Sequence, residues 1–184
     1  MEFGDVLDRV DDASYLETAA ILFVTAAFMA GGVTVVSTGA AVTTFIAAFA
    51  IYTVLTLIIA LLLTKVMWFI RDRCSYADSV KVYTACSVLF TPMFLAYALI
   101  ERVPGGNLST AVAIFALVTG VVTGAAFAVR VTMRLFDVDV VTAVIAHLIV
   151  DGGIIVALNI AGLANSAAAP PTQGMPQQLP PPPQ

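Results

Sequence analysis

The chain has 184 residues, of which 60% are hydrophobic and only 11% charged, with a mean hydropathy of +1.00. Soluble domains carry about a quarter charged residues, so this apolar excess cannot be buried in one water-exposed globule and lipid must be part of the solvent. Eight Lys and Arg against twelve Asp and Glu give a formal charge of −4, which supplies no basic face for nucleic acid.

Residues 2–12, EFGDVLDRVDD, place Phe3, Val6, Leu7 and Val10 at helical spacing among acids and Arg9. The pattern predicts a short acidic amphipathic segment over 1–13, at the membrane surface or as a frayed leader. Its acidity disfavours anionic lipid and is the opposite of a signal peptide's basic start, so the first apolar run is expected to stay uncleaved. Ser14-Tyr15-Leu16-Glu17 has the spacing of a capping box, with serine and glutamate able to satisfy each other's backbone N–H groups.

Five apolar runs follow, at about 17–36, 41–70, 80–100, 109–133 and 141–163. Each reaches the ~20 residues needed to cross a bilayer. The expected fold is therefore all-α, an integral membrane bundle of five transmembrane helices over 14–163. Ser37-Thr38-Gly39 breaks the first run from the second, and Trp68 and Phe69 end the second where aromatics favour the interface. Pro92 lies inside the third run; a membrane bundle tolerates the missing backbone bond and the kink. The segment 164–184 holds seven of nine prolines and ends in four of them before Gln184. It has no means of building a core and is expected to be an extended, disordered tail.

With five spans, Arg9, Lys65, Arg71, Arg73, Lys81, Arg130 and Arg134 fall on or beside the N-terminal side, and only Arg102 falls on the other. This asymmetry predicts a cytoplasmic N-terminus and an outside C-terminus. Arg71, Arg73, Arg130 and Arg134 are candidate lipid-headgroup anchors, their stems snorkelling to the interface. The last two sit one turn apart at a helix end that favours cations.

His147 and Asp151 are the sharpest candidates. They are four residues apart on one helical face, with Asp151 ten residues into the fifth run, roughly 15 Å deep at 1.5 Å per residue. An acid at that depth marks a functional site by default, suited to proton relay or to binding a cation or polar headgroup. The alternative is a mutually bonded pair that fixes helix packing. With a single histidine in the chain, no paired-histidine metal site forms. Gly-x-Ser-x-Gly and His-Glu-x-x-His are absent, so no catalytic residue, metal or cofactor is assigned and no enzymatic activity is expected. Gly120 and Gly124 form a GxxxG pair that lets two helices approach closely. Cys74 and Cys86 are expected to be reduced structural thiols.

The stretch Ser75-Tyr76-Ala77-Asp78-Ser79-Val80-Lys81-Val82-Tyr83, continuing through Ser87 to Pro92, resembles the entry to the third span of the Yip1 family. Val129-Arg130-Val131, and Asp139 to Ala143 beyond it, resemble that family's fourth span, short loop and fifth span. In layout the resemblance covers about residues 17–163, with a cytoplasmic N-terminus and a tight pair of spans before three more. It implies a non-enzymatic protein of the cell membrane, acting in membrane organisation or trafficking. The bilayer itself, further copies of the chain or other membrane proteins are its expected partners. The acidic, lysine-poor composition is similar to that of proteins from salt-loving archaea. Two other functions fit the same layout. One is a structural protein of an envelope, including an archaeal virus membrane. The other is a small proton-coupled transporter or channel using His147 and Asp151.

Overall fold

The computed structural model describes residues 3–37, 40–72, 74–100 and 106–168. Six helices follow one another: α1 (Phe3–Asp12), α2 (Tyr15–Val36), α3 (Ala41–Arg71), α4 (Tyr76–Ile100), α5 (Gly106–Phe136) and α6 (Val140–Ala168). There is no strand among the described residues. Helices α2 to α6 are long and apolar enough to span a membrane, and at most 33% of any span's most apolar window is buried. The remaining apolar side chains, such as Phe69, Phe115 and Leu148, face outward. That surface suits hydrocarbon and would be unstable in water.

Local chemistry explains the helix boundaries. The capping box forms at α2: Ser14 Oγ accepts from Glu17 N at 3.2 Å, and Glu17 Oε2 accepts from Ser14 N at 2.8 Å. Helices α3 and α5 stop at aspartates in the left-handed region, Asp72 (φ 56°) and Asp137 (φ 48°), a conformation that Asp tolerates better than most residues. Asp139 then caps α6, accepting from Val141 N at 2.8 Å and Thr142 N at 3.0 Å. Helix α4 starts at Tyr76, inside the expected loop. Helix α6 continues to Ala168, five residues into the segment expected to be tail. Alanines favour that extension. The rest of the tail, 169–184, lies outside the described residues, as do Arg73 and Arg102.

Helix α4 is central, packing on α2, α3 and α5; α2 packs on α3, and α6 bridges α3 and α5. The shared core joins Leu63 and Met67 of α3, Val82 of α4, Phe127 and Val131 of α5, and Ala146 and Val150 of α6. Helix α1 packs on α5. Its Val6, Leu7 and Val10 sit against this same core, so the apolar stripe of α1 is used for docking within the protein.

Candidate functional site

His147 is 7% exposed and joins three helices. Its Nδ1 lies 3.1 Å from Asp151 Oδ2, one turn along α6. Its Nε2 lies 2.9 Å from Thr132 Oγ1 of α5, itself fully buried. From α4, the Tyr83 hydroxyl donates to Asp151 Oδ1 at 2.8 Å, and its ring meets the imidazole edge-on with centroids 5.7 Å apart. With Asp151 accepting through both oxygens, the bonding pattern assigns the hydrogen to His147 Nδ1, and Nε2 accepts from Thr132. The four side chains form one connected chain of hydrogen bonds.

Tyr83 and Thr132 are absent from the candidates named from the sequence. A signal for Tyr83 did exist. It lies seven residues into α4 and His147 seven residues into α6, so both sit ~10 Å from the same end of the bundle. Equal depth in two helices that start on one side makes a meeting possible, but the order of packing had to be known to identify it. The cluster is dry on the His147 side and open on the other. The Asp151 side chain is 44% exposed, and no other helix comes within 4 Å of where a Cβ would stand on Gly152 or Gly153. Chemically, the chain of bonds can fix three helices in register or pass a proton between Thr132 and Tyr83. Among the described residues no three His, Cys, Asp or Glu side chains gather to hold a metal ion.

Arg71, Lys81 and Arg134 lie at one end of the bundle and meet acidic residues of the same chain. Arg71 bonds the backbone carbonyl of Asp137 and pairs with its carboxylate at 3.4 Å. Arg134 pairs with Asp8 at 3.0 Å and Asp11 at 3.9 Å, and Lys81 donates to the Asp11 carbonyl at 2.6 Å. Two of the arginines proposed as headgroup anchors, Arg71 and Arg134, therefore have carboxylate partners within the protein. Arg130 and Arg134 also line an open groove of about 950 Å³ between α1, α5 and α6, which Asp11 and Asp137 share. Beside it, the bonds from the Thr142 backbone and hydroxyl hold the Asp139 carboxyl below the usual carboxylate range.

Gly120 and Gly124 face α4. A Cβ on Gly120 would stand 2.6 Å from Met93 Cβ, and one on Gly124 would stand 3.2 Å from Cys86 Sγ. Cys86 Sγ in turn reaches the Gly124 carbonyl at 3.2 Å. The pair thus packs α5 on α4 within one chain. Neither cysteine is in a disulfide.

Five spanning helices, a lipid-facing apolar exterior and a buried polar tie define a multi-pass α-helical membrane protein. No family model, no curated protein and no solved structure matches the chain.

Proposed function

We propose that the chain is a non-enzymatic, Yip1-like protein of the cell membrane, acting in membrane organisation or trafficking, with α1 in the cytoplasm and the C-terminus outside. The observation that carries this reading is the use made of His147 and Asp151. Both imidazole nitrogens and both carboxylate oxygens find partners inside the bundle, and those partners come from α4, α5 and α6. Polar groups spent in this way hold helices together. Arg71, Lys81 and Arg134 share one end with α1, which supports the cytoplasmic assignment of that end.

A second reading, a small proton-coupled transporter or channel, draws on the half-exposed Asp151 carboxyl. Liposomes holding a pH-sensitive dye separate the two. Under the first reading, wild type and Asp151→Asn both leak protons no faster than protein-free vesicles, and a reporter fused after Gln184 is active only outside the cell. Wild-type flux that Asp151→Asn abolishes would overturn the first reading in favour of the second.

A further inference from the structure

Among the described residues, two buried hydroxyls of the spanning helices have no hydrogen-bond partner. Thr25, Thr53, Thr56, Thr64 and Thr123 each donate to a backbone carbonyl one turn earlier, the usual way to satisfy a hydroxyl in an apolar helix. Thr84 and Thr91, 3% and 5% exposed, have no partner for their Oγ1 atoms. Seven residues apart, they lie on one face of α4, the face that looks into the seam with α2.

Thr84 lines a cavity of about 190 Å³, bounded by Val6, Arg9 and Val10 of α1 and by Ile21, Lys81 and Val88. Thr91 lines a larger one of about 560 Å³, with Val24, Phe28, Pro92 and Leu95. Both cavities share Ile21 and Val88, so they run end to end along the seam. From Lys81 to Leu95 the helix rises ~21 Å, more than the ~15 Å depth of one hydrocarbon leaflet. One end carries two cations, Arg9 and Lys81, and apart from threonines the rest is apolar. An adjoining mouth sets Asp12 and Glu17 beside Arg9, further out.

We propose that the α2–α4 seam binds one glycerophospholipid of the surrounding membrane. Its phosphate sits at Arg9 and Lys81, the Thr84 hydroxyl donates to an oxygen of the glycerol linkage, and one chain lies along Ile21, Val88 and Leu95. Charge order selects the occupant. Cations stand at the head of the apolar trough to meet the phosphate, and the outer carboxylates suit a headgroup that ends in an amine or hydroxyls. The α1 helix roofs the head end, so the lipid sits between α1 and the bundle. Thr91, two turns deeper, is not served by an acyl chain.

The test uses the full-length protein, delipidated in detergent and titrated with palmitoyl-oleoyl phosphatidylethanolamine. Native mass spectrometry counts bound lipid, and thermal unfolding reads its effect. One lipid per chain is expected, with a rise in Tm. Arg9→Ala weakens retention about fivefold, the worth of one cation near a phosphate. Thr84→Val abolishes most of the lipid-induced rise but leaves the lipid-free protein at least as stable, because valine removes an unsatisfied hydroxyl. Inorganic phosphate alone produces no rise. The proposal is overturned if wild type retains no lipid, if both variants keep the full rise, or if free phosphate reproduces it.

Discussion

Tyr83→Phe is a clean probe of the polar tie. It deletes only the hydroxyl that donates to Asp151 at 2.8 Å and leaves the ring against His147. Asp151→Ala removes the acceptor itself, so each single substitution abolishes the bond that the cycle measures. Interhelical hydrogen bonds in membrane bundles, measured by double-mutant cycles, average ~0.6 kcal/mol and reach ~1.7. The Tyr83–Asp151 bond has well-formed geometry at 2.8 Å, and the carboxyl is fixed from its other side by His147 at 3.1 Å. Both features place the coupling in the upper half of that range, about 1 kcal/mol. Half exposure of Asp151 keeps it from the top, because outside groups compete for the same oxygen. His147→Leu should cost more, about 2 kcal/mol, since it breaks two bonds and strands the fully buried Thr132 hydroxyl. Reversible unfolding in bicelles, followed by circular dichroism, gives the four corners of the cycle. If the two substitutions add to within ~0.3 kcal/mol, hydroxyl and carboxyl do not sense each other, and the tie is not what joins α4 to α6.

Two further outcomes follow from the glycines and from the α6 cap. Gly120→Ala puts a methyl 2.6 Å from Met93 Cβ, which no rotamer relieves, so α5 must move off α4 at a cost of ~1–3 kcal/mol. Gly152→Ala meets nothing within 4 Å and should stabilise by ~0.5–1 kcal/mol through helix propensity; the reverse order in the same unfolding assay would refute the packing of α5 on α4. The Asp139 carboxyl is depressed by bonds from Thr142 first and from Val141 as well, so its folded pKa lies below the unfolded one. Its contribution is therefore complete above the unfolded value of about 3.9 and is lost as pH falls through the folded value. Hydrogen exchange at the Val141 and Thr142 amides, corrected for intrinsic rates, should show constant protection from neutral pH to about 5 and a fall below about 4. Asp139→Asn should keep much of the protection and lose the pH dependence; an unchanged profile would remove Asp139 as its source.

The spanning helices were legible because lipid imposes a one-dimensional rule: a long apolar run must be a helix, since nothing outside it can bond its backbone. His147 and Asp151 were legible as a pair for a similarly local reason, their spacing on one helix. Tyr83 and Thr132 were not, because their bonds to the pair connect residues 68 and 15 positions apart, and helix order is no property of any local pattern. The same holds for the α2–α4 seam. Nothing in the third apolar run marks α4 as the helix with most neighbours, or Thr84 as a hydroxyl that fails to reach its own backbone. Helix α1 is the instructive case. Its apolar stripe was visible, and its acids read as an aversion to anionic lipid. The partner of those acids is Arg134, 126 residues away from Asp8.

That pairing changes what the one-sided basic residues do. During insertion the chain is unfolded, and Lys and Arg near each span bias which flanks stay inside. Once folded, Arg134 faces Asp8 and Asp11, Arg71 faces Asp137, and Lys81 holds the α1 backbone. Each exposed pair is worth only ~0–1 kcal/mol, so charge alone would hold α1 weakly. The apolar contacts of Val6, Leu7 and Val10 with the core contribute the larger share, since burying a side chain of that kind is worth ~1.5–3 kcal/mol. The acids then serve to choose the docking site: a helix with the same apolar stripe and basic flanks would meet Arg134 and Lys81 with like charge and be turned away. Under the orientation proposed above, one set of cations would both orient the chain when it enters the membrane and select its acidic N-terminal helix when it folds.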